Sequence, residues 1–215
     1  MRRMTAHADA PTSRLDRRKA RTRRALIDAA RRILAERGTV DVSIQEITET
    51  ADIGFGSFYN HFDSKAELFE VAVGEVLEEY GAALDSACEH LDDAAEIYAV
   101  GVRMTTRLAS TQPAVAQVLV QVGLSYAWSE RGLAARALRD IRRGIADGRF
   151  GIDDARLGLV STAGCVLAFI TLSLERPGEL GDVDADALTE MLLRMLGMTP
   201  RAAASVAHRP LPVVS

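Results

Sequence analysis

Residues 43–65 read SIQEITETADIGFGSFYNHFDSK, and this stretch decides the fold of the chain. It begins with a short helix whose apolar residues recur at spacings of three and four, namely Ile44, Ile47 and Ala51. Ser43 precedes this helix and Glu46 follows three residues later, which is the spacing of a capping box. The sequence therefore predicts a helix with a defined start and one face turned toward a core.

A tight turn and a second, very short helix come next. Asp52 and Gly54 both tolerate turn conformations, and the second helix is predicted over about residues 55–60. Gly56 lowers the stability of that helix, so we expect its backbone to lie close against a partner outside the fold. Ser64 then starts a third helix. A helix, a turn and a short second helix beside a basic segment form the layout of a helix-turn-helix DNA reader.

These residues resemble the DNA-binding domain of TetR-family transcriptional regulators. The resemblance covers about residues 19–77 and departs from the family pattern at Asp52, where glycine is usual, and at Gly54, where serine or threonine is usual. It implies phosphate contacts from Tyr59, His61 and Lys65. It also implies that a second set faces bases or the adjacent backbone, namely Gln45, Phe55, Gly56, Ser57 and Asn60.

Charge is distributed unevenly along the chain. Residues 1–37 hold 12 basic and four acidic residues, whereas the remaining 178 hold 14 basic and 26 acidic ones. A basic segment on an acidic protein indicates a polyanionic partner at one end. Arg17, Arg18 and Arg21 lie opposite the apolar face of the predicted first helix, so we add them and Ser43 to the DNA-binding set. The alternative is a solvated helix face.

The spacing of apolar residues predicts an all-α fold. Three-to-four spacing recurs throughout and strand-like alternation is absent, which favours a three-helix DNA-binding domain followed by a larger helical ligand-binding and dimerisation domain. Beyond the reader we predict helices over residues 65–88, 93–109, 113–123, 125–147, 153–175 and 184–196. The expected domains are a disordered basic arm at 1–15, the helix-turn-helix domain at 16–65, the larger domain at 66–200 and a disordered tail at 201–215.

The helix predicted over 153–175 is apolar on all sides. Residues 157–174 carry no charge, but a membrane span needs about 20 apolar residues. We therefore predict no membrane span and assign the helix, with the last one, to a homodimer interface. The predicted interface residues are Gly164, Ala168, Leu188, Leu192 and Met195. The alternative is that either helix lies in an intramolecular core.

The resemblance also implies an inducer pocket in the larger domain. The bulky residues of its middle helices are the predicted lining, namely Met104, Leu108, Val120, Tyr126, Trp128, Phe150 and Phe169. Each of them has the alternative of being ordinary core. Few charges interrupt these apolar segments, so the predicted ligand is a small apolar or amphipathic molecule.

Together these patterns predict a one-component cytoplasmic regulator, a repressor that binds a palindromic operator as a dimer and leaves it when an inducer binds. The start of the chain lacks a secretion signal, and two cysteines do not indicate a disulfide framework. The four histidines show no metal-ligand spacing and no catalytic motif is present, so no metal, cofactor or enzymatic activity is expected. The alternatives are a ligand-independent helical DNA-binding or protein-interaction protein, or an enzyme on an all-α scaffold.

Overall fold

A computed structural model of the chain describes residues 14–123 and 132–212. All regular elements in these two ranges are helical, which confirms the all-α fold class. The chain divides into two compact units. The first takes in the chain through Arg32 and residues Asp41–Ala72, and the second takes in Ile33–Val40 and the chain from Val73 onward. The predicted domain boundary at residue 65 therefore differs, because the helix that begins there continues into the second unit.

The first unit is a small helical domain. Its elements are α1 (Arg14–Arg37) as far as Arg32, α2 (Ile44–Thr50), the 3₁₀ helix η1 (Phe55–Asn60) and the start of α3 (Lys65–Ala87). Its core consists of apolar side chains that are nearly inaccessible to water, among them Leu26, Ile27, Ala30, Ile47, Phe58, Phe62 and Leu68. This core turns one face of each element inward and leaves the other face to solvent.

Hydrogen bonds define both ends of α2, and those at its end form the turn that leads to η1. At its start Ser43 Oγ accepts from the Glu46 amide at 3.1 Å, which confirms the predicted N-cap. At its end the Ile53 amide donates to the Thr48 carbonyl at 3.0 Å and the Asp52 amide to the Glu49 carbonyl at 3.1 Å. This pair of bonds is a Schellman motif, and Asp52 takes its left-handed position with φ 54°. Aspartate is one of the few non-glycine residues that adopts this conformation at modest cost.

The second unit is built around α4. It contains the rest of α3, then α4 (Ala94–Thr106), α5 (Leu108–Thr111), α6 (Pro113–Val122), α7 (Gly132–Ala146), α8 (Ala155–Glu175), α9 (Asp182–Met195) and α10 (Pro200–Ala207). Helix α4 packs against α7, α8, α9 and α10. Asp93 and Asp154 cap the starts of α4 and α8 through their side chains.

Two sequence predictions about this unit are wrong. The helix predicted over 93–109 ends at Thr106, and a separate single turn, α5, follows it. The tail predicted as disordered over 201–215 begins with α10, whose N-cap Thr199 accepts from the Ala202 amide at 3.3 Å. Its small apolar side chains are buried, namely Ala203, Val206 and Ala207. Alanine gives a weak hydrophobic signal in a sequence, and this explains why the helix was missed.

A charged cluster anchors the end of α10 to α4 and α9. Asp186 on α9 accepts from Arg103 Nε and from Arg107 Nη2, each at 2.7 Å. Arg103 also donates to the Arg209 carbonyl, and the Arg209 side chain pairs with Glu96. Because these charges are matched and hydrogen-bonded, their partial burial is compensated.

Replacement of Val206 by aspartate tests whether α10 is part of the core. We expect the free energy of unfolding to fall by about 3 kcal/mol, because a carboxylate replaces a buried apolar side chain. Ser205→Asp, at the neighbouring exposed position, is the matched control and should change it by less than about 0.5 kcal/mol. Chemical denaturation followed by circular dichroism measures both, and equal values for the two variants would contradict the placement of α10.

Candidate DNA interface and ligand cavity

Helix η1 presents an aromatic side to the core and an aromatic side to solvent. Phe58 and Phe62 are buried, whereas Phe55 and Tyr59 are 53% and 56% exposed. The Tyr59 ring makes edge contacts with both Phe58 and Phe55, at centroid distances of 5.4 and 6.2 Å. The exposed aromatic side chains of η1 are therefore held in place by their contacts with the buried ring of Phe58 and with each other.

The structure brings most of the predicted DNA-binding residues to the surface of the first unit. Arg17, Arg18 and Arg21 are exposed on α1, as are Ser43 and Gln45 near the start of α2. Phe55, Gly56, Tyr59 and Asn60 are exposed on η1, and Ser57, His61 and Lys65 are partly buried. The Gln45 amide donates to Glu49 Oε1 at 2.9 Å, so this side chain lies along α2.

Several other basic side chains of α1 serve the fold. The Arg23 guanidinium lies over the Phe62 ring, 4.7 Å from its centroid. Arg24 pairs with Asp28 at 2.6 Å, one turn along the same helix. Arg32 Nη2 donates to the Thr50 carbonyl at 2.9 Å, at the last residue of α2. The net basic charge of this segment therefore overstates the number of groups directed outward.

Lys65 has a structural contact that the sequence did not reveal. Its ammonium donates to the Val42 carbonyl at 2.8 Å and lies 3.8 Å from Asp41 Oδ1. This bond ties the first turn of α3 to the segment before α2. An ammonium has three donors, so a phosphate contact is compatible with this position.

His61 lies at the end of η1 with one ring nitrogen enclosed. Its Nδ1 is buried and has no hydrogen-bond partner among the described residues. Desolvation, followed by the charges of Lys19 and Arg23, lowers the pKa of His61 below its usual value. A neutral ring with its proton on Nε2 leaves only a lone pair on the enclosed nitrogen. We infer that this tautomer presents Nε2–H as the donor.

Gly56 is not required by the packing of the protein. A Cβ built at this position meets no described atom within 4 Å, and its φ does not fall in the left-handed region. The residue is exposed on the same helix as Phe55 and Tyr59. The absence of a side chain is therefore not explained by packing, and a contact of this backbone with DNA stays a prediction.

The second unit contains a partly open cavity of about 140 Å³ between α3, α4, α6, α7 and α8. Its walls are mostly apolar and include several residues with small side chains. The main apolar lining is Leu84, Ile97, Gly101, Val102, Leu119, Leu133, Ala134, Ala137, Leu159, Ala163, Val166 and Leu167.

One end of the cavity is charged. Arg136 Nε donates to Asp85 Oδ2 at 2.6 Å, and its two terminal nitrogens donate to the Glu78 carboxylate at 2.7 and 3.0 Å. Arg139 bonds both Asp85 and Asp140. Burial raises the pKa of Asp140 although Arg139 lowers it in part. The cavity thus places carboxylates and guanidinium groups together at the edge of an apolar space.

The remaining polar groups of the cavity are the Cys88 thiol and several hydroxyls, and the protons of these hydroxyls are already used in hydrogen bonds. Thr162 Oγ1 donates to the Gly158 carbonyl at 2.7 Å, so the Tyr98 hydroxyl, 2.7 Å away, donates to Thr162. Thr105 likewise donates to the Gly101 carbonyl. These hydroxyls therefore offer acceptor oxygens to the cavity, and the donors come from the arginines.

The predicted ligand-binding residues do not line this cavity. Met104, Leu108, Val120, Phe150 and Phe169 are absent from its walls, and Tyr126 and Trp128 lie outside the described residues. Leu108 and Phe150 are buried core. The Phe150 ring occupies the space where a Cβ at Gly144 would stand, and it makes an edge contact with Tyr98. Bulky residues fill space, and the cavity occurs instead where small residues leave it unfilled.

Some of the predicted dimer residues are exposed, and others are buried. Ala168 and Met195 are exposed, and a Cβ at Gly164 meets no described atom within 4 Å, but Leu192 is 2% exposed and belongs to the core. Leu188 is half-buried. The neighbouring Met191 is 64% exposed and takes the surface position predicted for Leu192, because one residue along a helix turns the side chain by about 100°. Leu157 on α8 and Val183 on α9 are exposed too.

Helix α8 is long and apolar enough to cross a membrane by length and composition alone. Only 28% of its most apolar 18-residue stretch is buried within the chain.

Within residues 14–123 and 132–212, no group of three or more His, Cys, Asp or Glu is arranged to hold a metal ion.

A helix-turn-helix unit followed by a helical unit with an apolar cavity is the architecture expected of a one-component regulator. Two family models match the chain in these places. The model described as bacterial regulatory proteins of the tetR family matches residues 26–72, and the one described as the tetracyclin repressor-like C-terminal domain matches residues 93–209. The chain belongs to the TetR family and is a ligand-responsive, DNA-binding transcriptional regulator. This classification is that of a non-enzymatic regulator.

Solved structures agree with this assignment. The chain is 35% identical to the regulator RolR, whose structure in complex with resorcinol matches 93% of this chain and 99% of RolR with a TM-score of 0.79. RolR without ligand matches with a TM-score of 0.74 over 89% of this chain and 100% of RolR, again at 35% identity. A TetR-family regulator from Pectobacterium atrosepticum, 22% identical, shares the fold with a TM-score of 0.65 over 88% of this chain and 100% of its own. No curated protein matches in a sequence search.

Gly56→Ala separates the stability of η1 from its function. The free energy of unfolding should stay unchanged or rise by up to about 1 kcal/mol, because alanine restricts the unfolded chain and meets open space in the fold. DNA affinity should fall at least about tenfold, because the new methyl group holds the duplex away from the backbone.

Gly74→Ala on α3 is the matched control, since a Cβ there also meets no described atom. It should have the same small effect on stability and leave DNA affinity unchanged. Fluorescence anisotropy with labelled DNA measures the affinities. Undiminished binding by Gly56→Ala would show that no partner approaches this backbone.

Proposed function

We propose that the protein is a homodimeric cytoplasmic repressor that binds a palindromic operator and releases it when a small, uncharged, hydroxylated aromatic molecule enters the cavity. The observation that carries the ligand class is the cavity itself, an apolar space of single-ring size with carboxylates and guanidinium groups at one end. The resemblance to RolR, which was solved with resorcinol, supports the same class.

The size of the cavity favours one aromatic ring. A cavity of about 150 Å³ lined by apolar side chains accommodates benzene in a protein. The value of about 140 Å³ found here is of the same size. A long acyl chain does not fit such a volume without rearrangement of the helices around it.

The charged end favours a neutral hydroxylated ring. A phenolic O–H donates to a carboxylate such as Asp85 or Asp140, and its oxygen accepts from Arg136 or Arg139. Two arginines here face three carboxylates, those of Glu78, Asp85 and Asp140. An added carboxylate would make this excess of negative charge larger, so a benzoate should bind poorly.

The dimer follows from the surface of α8 and α9. Leu157, Ala168, Val183, Met191 and Met195 are exposed on these two helices in the single chain, and α8 is apolar on all sides. Such a helix is stable in water when a second surface covers it. A two-fold dimer presents two reading heads, and these match a palindrome whose half-sites are about one helical turn apart. The family description as repressor-like supports repression as the outcome.

Resorcinol and benzoate test the ligand class. Resorcinol at about 100 times its dissociation constant should stabilise the protein by roughly 2.7 kcal/mol, seen as a rise in melting temperature, and benzoate should give no rise. Ala163→Phe fills the cavity and should abolish the effect of resorcinol. Ala146→Phe, on the exposed side of α7, is the control that should keep it. A rise with benzoate, or an undiminished rise in Ala163→Phe, would contradict the proposed site.

Charged substitutions test the dimer. Ala168→Glu and Met191→Glu should each weaken dimerisation by at least about a hundredfold, because the two-fold axis buries the unpaired carboxylate twice. Ser86→Glu, at an exposed position of α3, should leave it unchanged. Sedimentation equilibrium measures the association constants. A wild type that is monomeric at micromolar concentration would exclude this assembly.

A further inference from the structure

The side chain of Phe55 is exposed, and the packing of the first unit does not account for this exposure. It is the first residue of η1, and just over half of its surface is open to water. Burial of a phenylalanine side chain stabilises a fold, and much of this stabilisation is absent at Phe55. Phe58, three residues later on the same short helix, is fully buried.

The ring of Phe55 is nevertheless held in a defined place. Tyr59, four residues later, supports it through an edge contact at 6.2 Å, and Tyr59 is itself supported by the buried Phe58 at 5.4 Å. A row of three rings therefore leads from the core of the first unit to its surface. The outermost ring is positioned by the inner two, so it enters a complex with little loss of conformational freedom.

The neighbourhood of Phe55 is the reading surface of the first unit. Gly56 next to it has no side chain and open space outside, and Tyr59 and Asn60 are exposed on the same helix. The first residues of a recognition helix are those that meet base edges in the major groove. Phe55 has no hydrogen-bonding group, so it reads only an apolar feature of a base.

Base pairs present one apolar group in the major groove, the C5-methyl group of thymine. We infer that Phe55 reads this methyl group, and that each half-site of the operator contains a thymine selected by the Phe55 ring. The inference rests on the DNA-reading role of the protein and adds a residue that determines which base is chosen. The neighbouring polar residues then read donors and acceptors, and Phe55 reads a methyl group.

Deoxyuridine differs from thymidine by this methyl group alone, which makes the test specific. DNA bound by the full-length protein is first selected from a randomised pool, and each thymine of the selected site is then replaced singly by deoxyuridine. One position per half-site should lose about fourfold in affinity, the value expected for removal of one buried methyl group, and replacement in both half-sites should lose about fifteenfold.

Phe55→Ala should bind the selected site more weakly and should no longer distinguish thymine from uracil at that position. Its salt dependence should match that of the wild type, because no phosphate contact is removed. Asn60→Ala is the matched control, also exposed on η1. It should lower affinity while keeping the loss caused by uracil. Since Phe55 is exposed, its replacement should leave the melting temperature nearly unchanged.

The outcomes are distinguishable. If no thymine in the selected site is sensitive to loss of its methyl group, or if the sensitivity persists in Phe55→Ala, the assignment of Phe55 is overturned while the DNA-binding role stands. A Phe55→Ala variant that keeps wild-type affinity overturns it as well. If the full-length protein selects no DNA at all, the proposed function fails, and this inference fails with it.

Discussion

The guanidinium of Arg136 is held against one face of α3, and this contact forms the charged end of the cavity. Glu78, Gly81 and Asp85 recur on that face of the helix at spacings of three and four. Arg136 bonds the two carboxylates, and a Cβ at Gly81 would lie 2.6 Å from its Nη1. Only glycine lets the arginine lie this close to the helix. The contact fixes α7 against α3 and gives the cavity its charged end.

The electrostatics of this contact explain why it is stable although it is partly buried. Burial alone would raise the pKa of Asp85, but hydrogen bonds from Arg136 and Arg139 lower it overall, so the carboxylate stays ionised. A ligand hydroxyl that enters here competes for the same oxygens. Helix α3 begins at Lys65 in the first unit and carries Leu84 and Asp85 of the cavity near its end. We therefore propose that α3 is the element through which a ligand influences the DNA reader, to the extent that it prefers one conformation of this helix.

Sequence patterns predicted the elements of the fold better than the cavity. The helix-turn-helix segment combines a cap at Ser43, a turn at Asp52 and a short helix with Gly56, and each of these signals is local. Three helices of the second unit, α6, α8 and α9, were predicted within a few residues, because apolar spacing marks them. Local signals failed where small side chains build the structure, as in α10, and where one residue decides between core and surface, as with Leu192 and Met191.

The cavity was missed for a related reason. Arg136 and Asp85 are 51 residues apart and meet only through the packing of α7 on α3. The unfilled space results from glycines and alanines on α4, α7 and α8 and from Gly123 just after α6, and a sequence does not show which of them face one another. A signal was nevertheless present, since three arginines and an aspartate recur on one side of the predicted helix over 125–147, at Arg136, Arg139, Asp140 and Arg143. Charges repeated at helical spacing on a helix that also has an apolar face indicate a polar contact at the edge of a core.

The proposed release of DNA by a ligand requires thermodynamic coupling between ligand binding and operator binding, and calorimetry measures this coupling directly. The dissociation constant of resorcinol is determined for the free protein and for the protein saturated with its selected operator. We expect operator binding to weaken the affinity for resorcinol by about 5- to 150-fold, and saturating resorcinol to weaken operator binding by the same factor. Equal dissociation constants with and without operator, for a ligand that does bind the cavity, would show that this ligand does not control DNA binding.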